Sequence, residues 1–159
     1  MLEVTASGLV TQRFLRGMQD RHLDALAEAA LEGMFPARHR IFADGDDADK
    51  FWLIESGYVA LDISMPGEGL AVVGRVGMGG LLGWSWLVPP YQWAFGAVCV
   101  TEVRAFQFDA KAIRRHCTAD PSLRDELTRR MLPVIVERFQ DTKTRLTAGF
   151  RGVSPYAAA

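Results

Sequence analysis

The sequence has few of the residues that hold metal ions in proteins. It contains two cysteines and three histidines among 159 residues. Cys99 and Cys117 stand far apart, so no CxxC spacing offers a zinc or iron–sulfur site enough ligands. His22, His39 and His116 fall on separate predicted elements, which argues against a metal enzyme. We expect no metal, no cofactor and two reduced, mostly buried thiols.

Combinations of residues that support catalysis are also missing. The histidine nearest a cysteine, His116, precedes Cys117 on the same predicted helix and points elsewhere, so no nucleophile and base are paired. The acidic run at 44–49 lacks the spacing of a calcium loop. The glycine-rich run at 77–80 is not followed by the Gly-Lys-Ser/Thr of a phosphate loop. We therefore expect a protein that is not an enzyme.

Neither sign of charge dominates, and no apolar run is long. The chain has 18 lysines and arginines against 19 acidic residues, for a net charge of −1. It therefore lacks the basic surface that neutralises nucleic-acid phosphates. No apolar run approaches the ~18 residues that span a bilayer, and the N-terminus lacks the pattern of a signal peptide. These absences predict a cytoplasmic protein with no nucleic-acid and no membrane partner.

What the chain does contain is enough apolar sequence for one core. Hydrophobic residues make up 49% of 159 residues, which favours a single domain. Apolar residues recur at helical spacing from Asp20 to Leu31, with Asp20 placed to cap the helix. Gly33 and Pro36 are expected to end this helix.

The middle of the chain has the pattern of a β domain. Short apolar runs alternate with Asp-Gly, Ser-Gly and Pro-Gly turn signals. This spacing predicts a compact barrel or jelly roll. We predict six strands, at Arg38–Phe42, Phe51–Glu55, Tyr58–Ser64, Leu70–Val76, Ala94–Val100 and Val103–Phe108.

Two helices are predicted after the last strand. Asp109 can cap a short helix that runs through Cys117. Asp120 and Pro121 provide an N-cap followed by a proline at the first helical position, and a long helix follows to about residue 147. Pro133 inside it should kink the helix. Gly149 is the expected end.

The apolar stripe of the long helix is longer than a small barrel can cover. We therefore predict a homodimer through this helix, with packing on the barrel alone as the alternative. The predicted dimer seam consists of Leu127, Met131, Val134, Ile135 and Phe139.

Three segments together resemble the cyclic-nucleotide-binding domain of the catabolite-activator and kinase-regulatory-subunit families. They are residues 40–49, residues 51–59 and the Gly-Met-Gly-Gly-Leu-Leu-Gly run at 77–83. The resemblance covers roughly residues 14 to 147. It implies a mainly β fold with flanking helices: a double-stranded β-helix (jelly-roll) barrel with N-terminal helices and a long C-terminal helix. We expect an N-terminal segment at 1–13, the domain at 14–148 and a flexible tail at 149–159.

The resemblance also directs attention to the phosphate-binding cassette of that family. The family cassette begins with Gly-Glu, whose glutamate binds the ribose 2′-hydroxyl, and ends with Arg-Ser/Thr-Ala, whose arginine pairs with the cyclic phosphate. Here Trp84 stands at the glutamate position, and residues 76–103 contain no arginine or lysine. A buried phosphodiester without a paired cation is costly to desolvate. High-affinity binding of cyclic AMP in the usual pose is therefore not expected.

Aromatic residues replace those anchors, and three interpretations stay open. In the first, the rings enlarge the core and leave a degenerate sensor. In the second, they wall a pocket for a flat or apolar small molecule, with an anion site at 83–86. In the third, they form a contact for a protein partner. The candidate ligand-binding residues are Leu82, Gly83, Trp84, Ser85, Trp86, Tyr91, Trp93 and Ala94.

The family's transcription factors carry a helix-turn-helix domain after the long helix, which takes roughly sixty further residues. Only residues 150–159 remain here, so we expect no DNA-binding domain. The predicted function is a non-enzymatic regulatory sensor domain of the cyclic-nucleotide-binding type. The alternative is a ligand-free scaffold that acts through protein–protein interaction.

Overall fold

Two four-stranded antiparallel sheets form the body of the molecule. The computed structural model describes residues 2–152, and the side chains of residues 2–148. The strands are β1 (Ala30–Phe35), β2 (Arg40–Phe42), β3 (Lys50–Ser56), β4 (Val59–Met65), β5 (Gly69–Val76), β6 (Leu81–Leu82), β7 (Gly96–Cys99) and β8 (Val103–Asp109). The first sheet has the order β1-β8-β3-β6 and the second the order β2-β7-β4-β5.

Helices flank the sheets at both ends of the chain. They are α1 (Ala6–Leu9), α2 (Asp20–Glu28), α3 (Ala110–Ala119) and α4 (Pro121–Gly152), together with 3₁₀ turns at Arg13–Leu15 and Ser85–Leu87. The predicted fold class is confirmed: the molecule is a jelly roll with N-terminal helices and a long C-terminal helix.

The first predicted helix is too long. Helix α2 ends at Glu28, and the chain enters β1 two residues later, so Gly33 lies within a strand. Strand β1 pairs with β8 over six residues, from Ala30 opposite Phe108 to Phe35 opposite Val103. Because the partner strand lies some seventy positions away in the chain, local periodicity could not reveal this pairing. Gln19, rather than Asp20, is the N-cap residue.

All six predicted strands are present, although their end residues differ from the prediction. Besides β1, the prediction also omitted β6. Strand β6 has two residues, which pair with Trp52 and Leu53 of β3. A strand this short has no alternating pattern to detect. The glycines of the Asp-Gly and Ser-Gly turn signals, Gly45 and Gly57, both have positive φ, at +89° and +80°.

The predicted caps at Asp109 and Asp120 are present. Asp109 Oδ1 accepts hydrogen bonds from the backbone N–H groups of Lys111 and Ala112, at 2.8 and 3.1 Å. Asp120 Oδ1 accepts one from the backbone N–H of Ser122 at 3.1 Å. The expected end of α4 at Gly149 is wrong, because the helix continues to Gly152. Residues 153–159 of the expected tail lie outside the described residues.

The N-terminal elements pack on the same core as the strands. Leu9 of α1 and Leu15 of the first 3₁₀ turn are buried in that core. Arg130 of α4 holds this region, because its Nη1 donates to the carbonyls of Phe14 and Arg16 at 2.7 and 2.9 Å. Its Nε donates to Glu126 Oε1 at 2.6 Å.

The dimer seam predicted on α4 is exposed only in part. Leu127 and Met131 are fully buried, so the prediction is wrong for these two residues: the first half of α4 packs on the domain's own core. Val134 and Ile135 are half-buried, whereas Phe139 is 68% exposed. Among residues 121–148 of α4, the large apolar side chains that are exposed are Leu132, Val136 and Phe139.

Candidate functional site

The cassette segment, residues 83–95, begins after β6 and connects it to β7. Gly83 follows β6 directly and has a φ of +89°, a conformation that favours glycine. A Cβ atom at this position would lie 2.8 Å from the ring of Trp93. Gly83 is thus required both by the backbone turn and by the close approach of Trp93.

Trp93 is held in place through its backbone and its ring. Its N–H donates to the carbonyl of Asp46 at 2.8 Å, and its carbonyl accepts from the N–H of Gly45 at 2.9 Å. The ring stacks on Phe42 with centroids 4.0 Å apart and lies 5.9 Å from Trp52. Only 4% of Trp93 is exposed. Trp93 is therefore part of the core.

The space that remains beside Trp93 is small. This inner cavity has a volume of about 20 Å³, and about 10–15 Å³ measured in this way holds one water molecule. Its walls come from β2, β4, the cassette and α4. The lining residues are Phe42, Leu61, Leu82, Gly83, Trp84, Ser85, Trp93, Ala94, Phe95 and Arg138.

The structure therefore divides the predicted site residues into two groups. Six of them line the inner cavity, namely Leu82, Gly83, Trp84, Ser85, Trp93 and Ala94. Trp86 and Tyr91 do not line it. Trp86 is fully buried and stacks on Phe51 with centroids 4.8 Å apart. Tyr91 is partly exposed, and its ring lies 4.6 Å from the guanidinium of Arg114.

Arg138 of α4 is the charged residue that the sequence interpretation missed at this cavity. Its Nη1 donates to the carbonyl of Arg75 at 3.1 Å, and its Nη2 donates to the carbonyl of Leu81 at 2.9 Å. Burial lowers the pKa of its guanidinium, and the nearby carboxylates of Glu137 and Asp141 partly offset this effect. Its position seven residues after Met131 places it on the core-facing side of α4, which was the available signal.

A second arginine near the cassette is neutralised within the protein. Arg40 of β2 forms a bidentate pair with Asp62 of β4, with nitrogen–oxygen distances of 2.7 and 3.1 Å. The hydrogen bond to Asp62 raises the pKa of Arg40. The carboxylate is buried, and a Cβ atom at Gly96 would lie 2.2 Å from its Oδ1. The charge of Arg40 is therefore satisfied by this internal pair.

The groups considered for metal or thiol chemistry are dispersed. Within residues 2–152, no three His, Cys, Asp or Glu side chains are grouped so that they could hold a metal ion. Cys99 and Cys117 are both buried as free thiols, and burial raises the pKa of each. No helix in the same range is long and apolar enough to cross a membrane.

Comparison with known proteins agrees with this architecture. The family described as "Cyclic nucleotide-binding domain" matches residues 33–120, which is more than half of the chain. This chain belongs to that family. The match includes β2 to β8 and therefore the whole cassette.

Relatives of this cyclic nucleotide-binding domain include a "CRP-like cAMP-activated global transcriptional regulator" of Mycobacterium tuberculosis. The two are 26% identical over 131 residues, which cover 82% of this chain and 57% of that protein. The chain thus spans little more than half the length of this curated relative.

Solved structures share the fold. A cyclic nucleotide-binding domain from Methylobacillus flagellatus KT superposes with a TM-score of 0.72 at 18% identity, over 82% of this chain and 73% of that one. The regulatory domain of Toxoplasma gondii PKA, solved with cAMP, gives a TM-score of 0.66 at 22% identity, over 78% and 47% of the two chains. The jelly roll of this cyclic nucleotide-binding domain is thus shared with a structure that holds cyclic AMP.

Proposed function

We propose that this chain is a regulatory domain of the cyclic nucleotide-binding family whose inner pocket does not accept cyclic AMP in the usual pose. The observation that carries the proposal is the stack of Trp93 on Phe42, which leaves an inner cavity of about 20 Å³. Pockets that take small-molecule ligands and cofactors measure about 300–1,000 Å³. A cyclic nucleotide could enter only if Trp93 left the core.

Charge supports the same proposal. Arg138, which lines the inner cavity, donates to two backbone carbonyls, and Arg40, two residues before the lining residue Phe42, pairs with Asp62. If Ala94 is aligned with the alanine of the family's Arg-Ser/Thr-Ala run, Gln92 and Trp93 stand at the two preceding positions. A buried phosphate would then lack the arginine fork that normally offsets its desolvation.

A thermal-shift titration with cyclic AMP and cyclic GMP tests this proposal. Ligand at one hundred times its Kd stabilises a protein by about 2.7 kcal/mol, which raises the Tm of a domain of this size by several degrees. We expect a shift of less than ~1 °C at millimolar nucleotide. The Mycobacterium tuberculosis relative is the positive control. A saturable shift of several degrees would show that the inner cavity opens.

We also propose that the exposed face of α4 pairs with a second copy of this chain. Leu132, Val136 and Phe139 lie four and then three residues apart, the spacing of a helix–helix seam. Charges of both signs flank them, including Glu137, Asp141 and Lys143, so the face can complement itself. The seam differs from the predicted one because Leu127 and Met131 are buried.

Sedimentation at tens of micromolar protein tests the dimer. We expect wild type to be dimeric and Phe139→Arg to be monomeric, since the substitution places a charge in the seam. Met34→Arg is the matched control, because Met34 is likewise exposed but lies on β1 rather than on α4. A monomeric wild type would refute the pairing. It would favour instead the scaffold interpretation, in which this face contacts another protein.

A further inference from the structure

A second cavity lies on the outer side of the cassette. It is bounded by the cassette on one side and by α3 and α4 on the other, and its volume is about 180 Å³. None of its lining residues is acidic, whereas two are arginines. The lining residues are Trp86, Leu87, Tyr91, Arg114, Cys117, Thr118 and Arg124.

The two arginines carry positive charge that no carboxylate balances within ion-pair distance in the described part of the chain. Arg114 donates from Nη1 to the carbonyl of Trp86 at 2.8 Å and lies over the ring of Tyr91. The guanidinium of Arg124, on the second turn of α4, has no hydrogen bond or ion pair among residues 2–148, and the residue is exposed. Two guanidinium groups without a carboxylate partner at one cavity favour an anionic ligand.

An acidic group near the outer cavity, Asp120, is engaged elsewhere. Asp120 lies near enough to influence the pKa of Cys117. Its carboxylate, however, accepts hydrogen bonds from Ser122, forms an ion pair with Arg21 at 3.5 Å and lies 3.2 Å from Nε2 of His22. These contacts leave Arg114 and Arg124 without an internal counter-ion.

We infer that the outer cavity is a binding site for a small oxyanion, a carboxylate or a phosphate group, held by Arg114 and Arg124 against Tyr91 and Trp86. The volume is smaller than the ~300–1,000 Å³ of pockets for drug-sized ligands, so the ligand is a small metabolite or the free ion. The site is separate from the inner cavity, with which it shares no lining residue.

The position of this site gives its occupancy a structural effect. Arg114 already ties the 3₁₀ turn of the cassette to α3 through the carbonyl of Trp86. An anion bridging Arg114 to Arg124 would join α3, α4 and the cassette, whereas the empty site leaves two like charges facing one cavity. Binding therefore stabilises the contact between the cassette and the long helix.

Calorimetric titration with inorganic phosphate and with benzoate tests the inference, with chloride used to hold the ionic strength constant. We expect saturable binding of at least one of them. Arg124→Gln should weaken it about ten-fold or more, because a hydrogen bond to a charged group is lost. Arg115→Gln is the matched control: Arg115 is exposed on α3, carries the same charge and does not line the cavity. It should change the affinity less than about two-fold.

The two ligands distinguish the sources of the oxyanion. Binding of phosphate alone indicates a phosphate group, and binding of benzoate alone indicates a carboxylate whose ring contacts the aromatic wall. Because Arg124 is exposed, the variant should keep the Tm of wild type in ligand-free buffer. Absence of saturable binding by both ligands would overturn the inference. So would an equal loss in both variants, which would show a diffuse effect of charge.

Discussion

The two sides of the cassette carry similar residues, but these residues fill the core on the inner side and line an open cavity on the outer side. On the inner side, Trp93 stacks on Phe42 and leaves about 20 Å³. On the outer side, Tyr91 lies beside Arg114 at the wall of a cavity of about 180 Å³. The two rings are two residues apart in the chain. An aromatic cluster in a sequence therefore does not specify whether its rings form a core or a pocket, because the elements packed against each ring decide this.

Arg138 and Arg124, one on each side of the cassette, show a similar contrast. Arg138, on the inner side, donates to two backbone carbonyls and acts as part of the scaffold. Arg124, on the outer side, has no such partner in the described part of the chain. A cation already committed to carbonyls must give up those bonds to bind a ligand, whereas an uncommitted one gives up only water. The outer side is therefore better suited to an anion.

The largest effect that would test this comparison is expected from Trp93→Ala. Removing a fully packed tryptophan should lower the free energy of unfolding by about 3–5 kcal/mol, because the transfer energy is lost and a cavity remains. Urea denaturation followed by circular dichroism measures this change. The enlarged apolar cavity should also bind a small flat molecule, so millimolar indole should raise the Tm of this variant but not that of wild type.

Tyr91→Ala is the matched control on the outer side. It removes an aromatic ring that is partly exposed and contacts a guanidinium, so the expected loss is about 0.5–1 kcal/mol. Equal losses in the free energy of unfolding for Trp93→Ala and Tyr91→Ala would contradict this difference between the two sides. They would mean that the inner ring contributes no more to the core than the outer one.

A smaller effect is expected from Arg138→Met, which keeps most of the apolar stem and removes the charge. The carbonyls of Arg75 and Leu81 lose their donor, so the free energy of unfolding should fall by about 1–2 kcal/mol. Arg145→Met, an exposed change on the same helix, should stay within about 0.5 kcal/mol of wild type. If Arg138→Met were as stable as wild type, Arg138 would not be part of the scaffold.

Local chemistry made much of the fold predictable from the sequence. Alternating apolar residues and turn signals located six of the eight strands, and Asp109 and Asp120 marked the starts of two helices. Strand β1 was missed because its ladder with β8 joins distant segments. Leu127 and Met131 were assigned to a dimer seam because periodicity reveals an apolar face but not what covers it.

By itself, the sequence determined the jelly roll, the family and the loss of both polar anchors from the cassette, since each depends on residue types at fixed local spacing. Only the tertiary structure decided that Trp93 leaves a small inner cavity and that Arg138 of α4 lines it. The tertiary structure also decided that Arg114 and Arg124 line the same outer cavity. The physical reason is that stacking and charge compensation act over a few ångströms of space between residues that can lie dozens of positions apart in the chain.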